Sequence, residues 1–81
     1  MSINKDFAKR IYLFVKQYTD KGFGTPHTEV KKFVEFEAPG PYNTEHYVNY
    51  LKWVGSVESN AQGVWALRDP QESIKFKNNE E

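Results

Sequence analysis

The chain has 81 residues, 11 basic and 11 acidic side chains for a formal net charge of zero, no cysteine, and 16% aromatic residues. A chain this short forms one small domain and buries a modest share of its surface, so its core must be dense in large side chains. The missing cysteine excludes disulfides and thiolate-bound metal, and the balanced charge argues against a non-specific nucleic-acid coat protein, while leaving room for a binder with one basic face.

Residues 3–18 form the clearest helix. Phe7, Ile11, Phe14, Val15 and Tyr18 recur at helical period as one apolar stripe. Asn4 is placed to cap its start, and Thr19-Asp20-Lys21-Gly22 stops it, with Gly22 available for a left-handed position. Tyr12 and Leu13 fall off this stripe. They read either as scattered surface residues or as a self-association face. Phe23-Gly24 is too short for a strand of its own. Thr25-Pro26 then reads as a cap followed by a first-turn proline, opening a second helix that runs to about Phe36 with Val30, Phe33 and Val34 inward. Lys31 and Lys32 lie on its outer side, either as phosphate contacts or as a solvated face.

Residues 37–41 carry two prolines around a glycine and must turn. The third helix begins at Asn43 or Thr44, either of which can cap. Its inner stripe is Tyr47, Tyr50, Leu51 and Val54, and Gly55 ends it. Glu45, His46, Asn49, Lys52 and Trp53 are left outward. Residues 56–59 and 63–68 read as short strands joined by Asn60-Ala61-Gln62, with Trp65 and Leu67 expected on the core face and Val64 and Ala66 on the other. Ile74 and Phe76 alternate with lysines in a polar tail, and residues 78–81 are expected to be disordered.

The predicted fold class is therefore α+β: a small winged helix-turn-helix of three helices followed by a two-stranded hairpin wing, one domain over residues 1–77. The pattern Leu51-x-x-x-Gly55, Val57-Glu58, Gly63-Val64-Trp65-Ala66-Leu67 resembles the end of many winged-helix domains. Its Gly-Val-Trp-x-Leu piece is similar to the N-terminal winged-helix domain of Mrr-type restriction proteins. The resemblance covers roughly a third of the chain in residues and the rest in helix order. It implies duplex DNA as ligand, with residues 43–54 as recognition helix.

No catalytic or metal constellation accompanies this pattern. His27 and His46 lie on different predicted helices without metal-ligand spacing. There is no G-x-S-x-G elbow and no glycine-rich phosphate loop, so the expectation is a protein that is not an enzyme and takes no cofactor or metal. No apolar run approaches the roughly 18–20 residues that span a bilayer, and residues 1–10 lack a signal-type stretch, so the expected location is cytoplasmic.

Two functions are weighed. The first is a sequence-specific double-stranded DNA-binding regulator, acting as a homodimer. Its contacts would come from Lys31, Lys32, Asn43, Thr44, His46, Asn49 and Lys52 on the helices and Asn60 and Gln62 on the wing. An α-helix fits the major groove, Asn pairs bidentately with adenine, and Lys reaches guanine or phosphate. The second is a winged-helix module that binds a protein partner through Tyr12, Leu13 and Trp53. Its motivation is the neutral net charge, the third helix without arginine, and the outward aromatics Tyr12 and Trp53. A positive strip along the third helix and wing would favour DNA, and an apolar or acidic one would favour protein.

Overall fold

The computed structural model describes residues 4–37 and 43–70. Glu37, expected in the turn, instead closes α2; the rest of the expected turn, 38–41, and the tail beyond Pro70 lie outside the described residues. The elements follow in the order α1 (Lys5–Asp20), α2 (His27–Glu37), α3 (Thr44–Val54), β1 (Val57–Asn60) and β2 (Gly63–Ala66). β1 and β2 pair antiparallel, with Val57 opposite Ala66 and Asn60 opposite Gly63. This is a small α+β domain with the layout of a winged helix. No helix among the described residues is long and apolar enough to cross a membrane.

Local signals set the helix ends. The Asn4 side chain accepts from the Phe7 N–H at 2.9 Å and starts α1. Asn43 starts α3, accepting from His46 N–H at 3.1 Å while its own N–H donates to His46 Nδ1 at 3.2 Å. This reciprocal capping box satisfies two of the donors that a helix start leaves open. At the other end Gly55 takes φ +83°, and its N–H reaches back to the carbonyls of the last turn.

α2 starts differently from the expectation. Thr25 does not cap it. The Thr25 hydroxyl instead donates to the Val15 carbonyl of α1 at 3.2 Å in a fully buried position, and the Pro26 carbonyl accepts from Val30 N–H at 3.2 Å. The Thr25 backbone is engaged as well. Its N–H donates to the Val64 carbonyl at 2.8 Å and its carbonyl accepts from Val64 N–H at 2.9 Å. The connection between α1 and α2 thus adds a one-residue bridge to the outer edge of β2. The bridging residue is Thr25.

The bridge decides which face of β2 is inside. Val64, held between Ser59 and Thr25, is buried, whereas Trp65 is half-buried and Leu67 is 55% exposed. The expected inward pair Trp65/Leu67 is therefore corrected to Val64. The Trp65 indole lies across Gly24, where an added Cβ would meet Nε1 at 2.7 Å. Gly63, at φ +138°, has no room for a side chain because a Cβ there would meet the Thr25 carbonyl. Ala61 and Gln62 turn the hairpin with negative φ, and the Asn60 carboxamide oxygen accepts from Gln62 N–H at 2.8 Å.

One core joins all five elements: Phe7, Ala8, Ile11, Tyr12 and Val15 of α1 pack with Val30, Val34, Tyr47, Leu51, Val57 and Val64. Phe7 meets Tyr47 edge-on at 5.0 Å between centroids. Tyr12 is only 5% exposed, so it belongs to this core and not to an interaction face. The buried sector of α1 is shifted from its expected stripe: Ala8 and Tyr12 are buried, whereas Phe14 and Tyr18 are only half-buried, because α1 packs against β2 as well as α2 and α3. At the C-terminal end of α1, Thr19 Oγ1 donates to the Val15 carbonyl at 3.2 Å and accepts from Ala66 N–H at 2.9 Å, fastening helix to hairpin.

Candidate nucleic-acid interface

The outer side of α3 carries His46, Asn49, Lys52 and Trp53, all exposed, with Trp53 at 62%. The inner stripe of Tyr47, Leu51 and Val54 is buried, so the orientation of the helix is set by apolar burial and its outer row is set by default. Tyr50 is half-buried at the margin, and desolvation raises its phenol above the ordinary tyrosine value. The hairpin is held in place beside the helices. His27, on the first turn of α2, contacts the Asn60 carbonyl through Nε2 at 2.9 Å. A carbonyl only accepts, so Nε2 carries the proton. This contact spans 33 residues of sequence and ties the start of α2 to the hairpin.

Between α2 and α3 lies an open groove of about 500 Å³ lined by His27, Lys31, Glu35, Asn43, Thr44, Glu45 and Val48. Its mixture of two acids, one lysine and one histidine leaves no net basic surface. Thr44 is half-buried, and its hydroxyl oxygen has no hydrogen-bond partner among the described residues. Thr44 is therefore not the cap and does not stand outward as a contact.

The nine DNA-contact candidates separate accordingly. Asn49, Lys52 and Gln62 are exposed. Asn43 and His46 are exposed too, but the Asn43 oxygen and the His46 Nδ1 are spent on the capping box. The Asn60 oxygen is spent on its turn. Lys31 and Lys32, adjacent in sequence, serve different sides of α2. Lys31 lines the groove toward α3 with its Nζ 3.9 Å from Glu35, whereas Lys32 lines a groove on the α1 side, 3.9 Å from Glu29. Successive residues on a helix diverge by about 100°, so only Lys31 joins α3. On α1, Lys9 and Arg10 are paired with Asp69 and Glu37. Of the protein-contact candidates, Leu13 and Trp53 are exposed and Tyr12 is not.

The sequence reading missed His27 as a brace, and it missed Glu35 and Glu45 as the acids of the groove. No local signal marks a contact made across 33 residues. The alternation of charge at Lys31 and Glu35 was visible, being the helical i,i+4 spacing that brings such pairs together. Among the described residues no group of three or more His, Asp or Glu side chains could hold a metal ion. No known family model matches the chain, and no curated protein or solved structure registers as similar to it.

Proposed function

We propose that this domain binds double-stranded DNA, with α3 entering the major groove and the hairpin resting on the backbone. The observation that carries the reading is the outward row Asn49, Lys52 and Trp53 on an α3 whose inner face is buried and whose start is closed by a capping box. The hairpin stands beside it, braced by His27. Asn49 is the adenine reader in this arrangement and Lys52 the guanine or phosphate contact. With Lys31 and Lys32 already beside carboxylates, few phosphates are neutralised. The binding is therefore weak in its non-specific part, and the log–log salt slope is shallow, about −1 to −3. The test is fluorescence anisotropy with a pool of duplex fragments at low salt, comparing wild type with Asn49→Ala and Lys52→Ala. Asn49→Ala should relax sequence preference, and Lys52→Ala should weaken all sequences alike and flatten the slope by about one contact. Absence of any duplex binding at low salt removes this reading.

A second reading has its own observation. α3 and the hairpin expose one lysine, Lys52, and two acids, Glu45 and Glu58, and α3 also carries the 62% exposed Trp53. Such a neutral-to-acidic surface with an aromatic anchor suits a protein partner. A partner retained by wild type after nuclease treatment and lost with Trp53→Ala selects this reading over the first.

A further inference from the structure

The chain has two histidines. Both stand in the first turn of a helix, and they use their rings in opposite senses. On α2, His27 Nε2 donates to the Asn60 carbonyl at 2.9 Å. On α3, His46 Nδ1 accepts from the Asn43 N–H at 3.2 Å, while the Asn43 side chain accepts from His46 N–H at 3.1 Å. A capping box ordinarily carries Glu or Gln at this third helical position, where a carboxylate or carboxamide oxygen accepts the bond. Here the position is filled by His46. An imidazole accepts only through an unprotonated nitrogen, and in the protonated ring both nitrogens are donors. Histidine is also the side chain that ordinarily changes charge between about pH 5 and 8. The two contacts therefore answer a proton differently. Donation from His27 continues in the protonated ring. Acceptance by His46 ends, and the new positive charge lies in the first turn of α3, where the helix dipole opposes it.

We infer that His46 is an acid-operated latch on the start of α3. The neutral ring closes the capping box, and the protonated ring releases the Asn43 N–H and loosens the first turn. The closed box needs the neutral ring, so its stabilisation is present at the upper end of the histidine range and is lost as pH falls through it. The surrounding charges do not switch in this range. α2 faces the α3 start with His27, Lys31 and Glu35, and α3 itself adds Glu45. β1 carries Glu58, and α1 brings Arg10 over Phe7, which packs on Tyr47. Carboxylates, lysine and arginine ordinarily keep their charge between about pH 5 and 8, which leaves His27 as the group to control for. The latch belongs to the helix that carries Asn49, Lys52 and Trp53, and it operates whichever ligand that helix meets.

The test follows amide and ring nitrogen resonances of the full chain from about pH 7.5 to 5, with urea unfolding at both ends of that range. The Asn43 amide should move in step with titration of the His46 ring. Acidification should raise the unfolding equilibrium constant of wild type roughly two- to fivefold more than that of His46→Gln, the lower part of what one hydrogen bond contributes, because this contact is exposed and water replaces it. Glutamine keeps an acceptor at every pH in the range, and contributions from His27 and the amino terminus are common to both chains. His27→Gln should retain the acid-induced loss, and circular dichroism at pH 7.5 checks that both variants are folded. An equal acid-induced loss in wild type and His46→Gln overturns the inference. So does an Asn43 amide that stays fixed while the His46 ring titrates, or a loss abolished by His27→Gln.

Discussion

Gly63→Ala measures how strongly the Thr25 bridge constrains the fold. Gly63 has φ +138°, and a Cβ there would meet the Thr25 carbonyl oxygen, with the carbonyl carbon at 2.8 Å and the Gly24 carbon at 3.1 Å. These neighbours are backbone, so no side-chain rotation relieves the clash. An alanine held at this φ costs about 1–3 kcal/mol. Moving Thr25 away breaks two backbone hydrogen bonds to Val64, each worth about 0.5–1.5 kcal/mol net. The sum is about 2–6 kcal/mol, a large part of the roughly 5–15 kcal/mol that holds a small domain together. Gly22→Ala is the matched control, because Gly22 also has positive φ, +89°, but has nothing within 4 Å of its would-be Cβ. It should cost only about 1–2 kcal/mol of backbone strain. The entropy that alanine removes from the unfolded chain is common to both and cancels in the comparison. Urea unfolding followed by tryptophan fluorescence gives both values under a two-state fit. Equal destabilisation of the two variants would refute the reasoning, since the clash with Thr25 would then contribute nothing.

Three further outcomes follow from the same geometry. Thr19→Val should destabilise more than Thr25→Val, by about 1–2 kcal/mol in urea unfolding, because Thr19 alone leaves a donor, Ala66 N–H, without its partner; equal losses would argue against that bond. Asn43→Ala should cost about 1 kcal/mol through loss of the α3 cap, and Asn43→Asp should retain most of it. Glu35→Gln should tighten duplex binding at low salt and steepen the salt slope by about one contact, because Lys31 loses the carboxylate beside it; an unchanged slope would mean that Lys31 does not approach phosphate.

The amino-acid sequence by itself determined the element order, the Asn4 cap and the glycine stops at 22 and 55, and narrowed the α3 cap to Asn43 or Thr44. Each of these is decided within three or four residues: Asn4 reaches Phe7, Asn43 reaches His46, and Gly55 supplies the left-handed turn on its own. The outward row of α3 was legible for a related reason, since the helical period separates it from Tyr47, Leu51 and Val54. Tertiary structure decided the rest. In Gly-Val-Trp-Ala-Leu nearly every side chain is apolar, so alternation carries no information about which face is inside. The choice of Val64 came from Thr25 bridging β2 and from α1 packing against it. Tyr12 lies off the periodic stripe of α1 but is buried because α1 packs against β2 as well as α2 and α3. Thr25 looked like a cap because its neighbour is proline, yet its hydroxyl found a buried carbonyl ten residues back. The charge of the candidate site was settled in the same way. Lys31 and Lys32 are adjacent in the sequence, and the placement of α1 and α3 on either side of α2 sends one toward the α3 groove and the other toward α1.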